Sequence, residues 1–355
     1  HYRQGHHHDR TERWMVPQAA LRSKRVEAGS TPGQPQESAK ADGDAVANFY
    51  GKDAGSTLTG LLRDHILVAG DLISAAKAGD NAAVSKASDA WYANSDQIAE
   101  FLAGANSAWP VDSLKEMMRG HLDQTLAEAT AQLTGDYARS VAEYDHIVSH
   151  ILDMADTLSA GIVSAFPDRF HTSEIPQPAI AVNDSMRRLW TDHVAWTRLF
   201  IVSAVAGLPD TEATAGRLLQ NQADIGDAVA NFYGKDARST LTGLLRDHIL
   251  VAADLVGAAK TGDNAGVSKA SDAWYVNADQ IAEFLAGANA AWPVDSLKVM
   301  MKGHLDQTLA EATAQLTGDY ARSVAEYDHI VSHVLDMADT LSAGLVSAFP
   351  DRFNA

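Results

Sequence analysis

From residue 44 onward apolar residues recur at steps of three and four, and no stretch alternates apolar with polar in the way of a strand. Alanine is abundant and proline is confined to junctions, which favours helix throughout. The pattern is fullest in the second half. It predicts six helices there, over about 185–207, 211–232, 237–260, 264–287, 294–317 and 320–348, broken at Gly207-Leu208-Pro209, Gly234, Thr261-Gly262-Asp263, Trp292-Pro293, Gly318-Asp319 and Pro350. Connections this short make neighbouring helices antiparallel.

The pattern is also written twice. Residues 44–170 return as residues 227–353 at a constant offset of 183, with 13 differences over 127 aligned positions. Such self-similarity fixes the domain organisation before any motif is considered. The prediction is an all-α chain of tandem antiparallel helical bundles. Residues 44–170 form a first bundle truncated to about four helices, 171–183 (HTSEIPQPAIAVN) a linker, and 184–355 a complete six-helix bundle. Residues 1–43 hold His6, His7 and His8 and the run AGSTPGQPQESAKADG, and read as a disordered or foreign tail. Loss of the leading helices would bare apolar surface on the first repeat, and self-association through that face is the partner expectation.

Composition narrows the function. The net charge is −18, so nucleic acid and anionic membrane surfaces are poor partners. No apolar run reaches the roughly 20 residues of a membrane span. There is no cysteine, which removes disulfides and thiolate ligands. There is no phosphate-binding loop or dinucleotide fingerprint, so no nucleotide cofactor is expected, and no nucleophile elbow supports a hydrolase triad. No signal peptide is present, although a mature form would have lost one.

The candidate chemistry lies in histidines on apolar stripes. His193 sits among Leu189, Trp190, Trp196 and Phe200, His248 among Leu241, Leu244, Leu245, Val251 and Leu255, and His304 among Leu297, Met301 and Thr308, with Glu311 further along the same face. Counted from their helix starts at about 1.5 Å per residue, the three histidines reach one level within about a turn. The returning last helix reaches that level near residue 335, where His329, His333, Asp336 and Asp339 lie. Three imidazoles and a carboxylate suit one divalent transition ion: zinc, iron, manganese or copper. The predicted ligands are His193, His248 and His304, with Asp339 or Asp336 completing the shell and His333 and Glu311 in reserve. The first repeat keeps weaker equivalents in His65, His121 and Asp156 but has no counterpart of His193. The same histidines read equally as core residues of a structural or interaction protein, and a third reading makes one of them a general base for a small substrate. The sequence leaves open whether the protein is an enzyme.

Trp274, Tyr275, Asn277, Asp279, Asn289 and Trp292 form a polar–aromatic set that reads as buried aromatics anchored by amides rather than as a pocket. The stretches LWTDHVAWTRLFIVSAVAGLPD, RLLQNQADIG, LLRDHI and WYVNADQIAEFL, the HL near Met301, and MAD ahead of SAFPDRF resemble a family of uncharacterised, all-helical bacterial proteins from actinobacteria and bacilli. The resemblance covers nearly all of the second repeat and most of the first. It implies an often exported, extracellular protein and supplies no catalytic residues. It places His193, His248, His304 and Asp339 within recurring stretches and makes His333 and Asp336 less typical.

Overall fold

The computed structural model describes residues 34–170 and 176–353. Every regular element among them is helical, and the chain divides into two compact units, 1–172 and 173–355. Unit 1 holds α1 (Gln34–Tyr50), α2 (Lys52–Ala78), α3 (Asn81–Ala105), α4 (Val111–Thr134) and α5 (Tyr137–Ala165). Unit 2 holds α6 (Gln177–Ala206), α7 (Thr211–Thr261), α8 (Asn264–Ala288), α9 (Val294–Thr317) and α10 (Tyr320–Ala348). A short 3₁₀ turn follows the last helix of each, at Pro167–Arg169 and Pro350–Arg352.

Local chemistry sets the ends. Asp80, Asp136, Asp263 and Asp319 each accept a hydrogen bond from the backbone N–H three residues on, at 2.9–3.2 Å. The two helices predicted over 211–232 and 237–260 follow one another within α7 and are broken at Gly234, whose φ of 83° and ψ of −178° are non-helical and open to glycine alone at low cost. Gly51 makes the matching break between α1 and α2.

Two boundaries differ from expectation. Residues 34–43, assigned by composition to the tail, belong to α1. Ala39, Asp42 and Val46 are buried at helical spacing, and Gly43 lets α1 cross close to α2: a Cβ there would stand 2.5 Å from the Gly55 carbonyl oxygen. Unit 1 therefore has five helices among the described residues rather than four. The linker is also shorter than predicted, because Pro176 caps α6 and Pro178 fits its first turn, where no N–H is needed. The His6–His8 run and residues 171–175 lie outside the described residues.

In unit 2 consecutive helices pack in order and α10 returns against α6, closing the bundle. Trp190, Val194, Leu245, Ile281, Leu305 and Val334 meet in its core. Unit 1 follows the same order from α1 to α5. On α10, Met337, Ala338 and Ser342 are buried, whereas their equivalents on α5, Met154 and Ala155, are only half-buried and Ser159 is exposed. The residues are the same, so the difference comes from what packs on them.

Candidate functional site

Three of the predicted residues come together. His193 on α6, His248 on α7 and His304 on α9 are each 2% exposed. The His193 and His304 rings lie 5.6 Å apart between centroids and those of His248 and His304 6.3 Å apart, the latter pair nearly parallel at 23°. One imidazole layer thus crosses the bundle interior. The depth count placed it because α6 and α9 run alongside the second half of α7 in the same sense.

Amides fix two of the rings. Asn277 donates its Nδ2–H to the Leu244 carbonyl, so its Oδ1 is the acceptor that faces His248 Nδ1 at 2.8 Å. His248 therefore carries its proton on Nδ1, and its Nε2 lone pair accepts the Trp274 indole N–H at 3.1 Å. Gln222 Nε2 donates to the Leu218 carbonyl at 2.9 Å and lies 3.2 Å from both His193 Nδ1 and Asn221 Oδ1, so its second N–H is shared between them. His304 Nδ1 and Gln222 Oε1 are buried without a hydrogen-bond partner. Burial pushes the His193 imidazolium down to about 3 and that of His248 to about 4, with His248 nearby adding to the effect on His193 and Asn277 opposing it for His248. His304 falls well below the usual histidine range for the same reason, with His193, His248 and His333 adding to it. All three rings are neutral at pH 7.

The predicted carboxylates are held elsewhere. Glu311 is 1% exposed and accepts from Arg198 Nη1 at 2.6 Å and from the Ser323 hydroxyl at 3.1 Å. Burial raises its carboxyl to about 7, while Arg198 and Ser323 pull it back down. Asp339 accepts a two-pronged Arg187 guanidinium, at 2.6 Å to each oxygen, and the Asn183 amide at 2.8 Å. Asp336 is exposed, because Leu335, Met337 and Ala338 take the inward face of that turn. His333 is half-buried and donates Nε2–H to the Met300 carbonyl at 2.8 Å, its ring lying over Gly303. His329 is on the surface beside Glu326. Among the described residues, no three or more histidine, aspartate or glutamate side chains have their donor atoms gathered as a metal-holding group.

Unit 1 repeats two-thirds of the layer. His65 and His121 stack at 6.0 Å, and Asn94 Oδ1 holds His65 Nδ1 at 2.8 Å. Asp156 is exposed. At the offset of 183, Arg10 stands opposite His193 and lies outside the described residues.

Sequence reasoning passed over Arg198, Gln222, Arg187 and Ser323. Arg198 carried a usable signal, being a cation on the apolar face of α6 five residues beyond His193; such a residue must find a buried anion. Gln222 carried a weaker one, a polar residue on the inward stripe of α7. Within the polar–aromatic set, Asn289 donates to the Gly344 carbonyl at 2.9 Å and accepts from Ala291 N–H at 2.9 Å, tying the end of α8 to α10, while Trp274 borders a pocket.

Comparison with family models, with curated proteins and with solved structures gives no match to the chain.

Proposed function

We propose that unit 2 is a metal-binding helical bundle that takes one divalent transition ion on His193, His248 and His304. The observation that carries the reading is the layer itself: three neutral imidazoles from three helices lie side by side in the buried interior, and one of them, His304, has an unpartnered ring nitrogen. A neutral ring is the form that binds metal, and the Asn277 bond to His248 Nδ1 directs that ring's lone pair through Nε2, as outer partners of metal-bound histidines do. The ligand set is reduced from the one the sequence suggested. Asp339, Glu311 and Asp336 fall outside it, since their positions and ion pairs give them other work. Binding exchanges the Trp274–His248 hydrogen bond for a bond to the ion and draws the donor atoms together. Storage, sensing and metal-dependent chemistry all fit such a site.

A second reading is favoured by one specific contact. Both nitrogens of His248 are already hydrogen-bonded, to Asn277 and Trp274, as in a satisfied core histidine of a non-catalytic structural or interaction protein.

Metal content of the purified full chain, after exposure to zinc, cobalt, manganese or copper and desalting, separates the two. The metal reading expects about one ion per chain, lost in His304→Ala and kept in Asp339→Asn. No ion above background, with His304→Ala affecting only stability, assigns the layer to the core.

A further inference from the structure

Next to the histidine layer, toward the far ends of α7 and α9, unit 2 holds a partly open pocket of about 140 Å³. Its walls come from Ile201 on α6, Ala252 and Leu255 on α7, Trp274 on α8 and Ala312 on α9, and almost all of the lining is hydrocarbon. Three threonines reach it as well, and each has its hydroxyl turned to its own helix: Thr197 donates to the His193 carbonyl, Thr308 to that of His304 and Thr313 to that of Leu309, at 2.7–2.8 Å. The Trp274 N–H is engaged by His248. The cavity therefore offers water no free donor. Water in such a place gains few polar partners, so its displacement by an apolar molecule is favourable.

We infer that this cavity is a binding site for a small, uncharged, apolar molecule of about the size of benzene or toluene. The chemistry excludes a charged or strongly hydrogen-bonding ligand, which would lose its hydration and gain no partner. The volume sets the upper size. The site belongs to unit 2, because α6 contributes Thr197, Phe200 and Ile201 to the wall. It stands apart from the metal proposal: no histidine lines it, and it can be filled with the layer apo.

The test uses the full chain in the presence of a chelator, with toluene as the probe. Thermal unfolding and proton spectra are followed as toluene approaches saturation. The expected result is a rise in the melting temperature of unit 2 and shifted methyl resonances of Ile201 and Leu255. Ala312→Leu fills the space and is expected to weaken toluene binding at least tenfold, whereas Val276→Ala, on the exposed face of α8, leaves it unchanged. Should Ala312→Leu fail to fold, Leu255→Ala enlarges the cavity instead and is expected to admit p-xylene at least tenfold more tightly than the parent. No response of the parent chain to toluene overturns the site. So does an equal response in Ala312→Leu, or no gain for p-xylene in Leu255→Ala.

Discussion

At the scale of single residues, unit 2 is governed by polar groups placed where water cannot reach them. The neutral histidines set a direction for stability against pH. The unfolded chain takes up protons on these residues near 6.5, whereas in the folded chain His248 resists until about 4 and His193 until about 3. Between those values the unfolded state holds more protons, so stability is full above pH 6.5 and falls as the pH falls. For His248 alone the displacement corresponds to about 3 kcal/mol. Glu311 works the other way: its folded carboxyl, raised to about 7, favours the fold below 4.5 and loses that contribution as the pH rises through 7. The histidines prevail in acid. Urea midpoints at pH 7.5 and 5.0 should therefore differ, with the acid value lower, and His248→Gln should flatten the difference. A second expectation concerns the Arg198–Glu311 pair. Arg198→Met leaves the buried Glu311 without its cation and should cost about 3 kcal/mol, while Arg198→Met combined with Glu311→Met should recover most of it, because a well-packed apolar pair can replace a buried ion pair. Equilibrium unfolding of the three variants measures this.

At the scale of the helix, two glycines of the same bundle respond oppositely to alanine. Gly344 on α10 receives the Trp292 indole so closely that an added Cβ would stand 1.8 Å from Nε1. Gly344→Ala must push Trp292 or α10 aside and should lose about 1–3 kcal/mol. Gly257 on α7 has open space around the same position, and Gly257→Ala should gain about 0.5–1 kcal/mol from helix propensity alone. Thermal melts of both variants decide whether α10 is seated as described. Helix ends were legible in the sequence for a physical reason: the aspartate caps, Pro293 and the terminal glycines act locally. The start of α1 was not legible, because Gln34–Gly43 has the composition of a linker and the close approach of Gly43 to Gly55 on α2 is a tertiary contact. The start of α6 was hidden in the same way, since Pro176 and Pro178 mark a loop or a first turn with equal force.

At the scale of the whole molecule, duplication gives two bundles of nearly one sequence and unequal cover. α6 closes unit 2 and completes the histidine layer; in unit 1 the equivalent of its contact face on α5 is more exposed. Unit 2 should therefore melt at the higher temperature. Calorimetry is expected to give two transitions, with Leu305→Ala lowering only the upper one and Leu122→Ala only the lower; a single transition that both variants move would contradict independent units. The level of the three histidines could be counted from helix starts, because antiparallel rods share one axial scale. The carboxylate partner could not, because a depth count gives height and not facing. Asp336 has the right height and faces outward, and Asp339 is taken by Arg187, a residue whose role depends on α6 lying against α10.

The most direct measurement is a nitrogen-15 spectrum of the imidazole rings in the full chain, recorded from pH 8 to 5 and then at pH 7 with one equivalent of zinc. The account expects three rings, those of His193, His248 and His304, to stay neutral across that range and to move together on adding zinc. Rings that protonate near pH 6.5 would contradict a shared buried layer, and neutral rings indifferent to zinc would leave the layer as core and remove the metal.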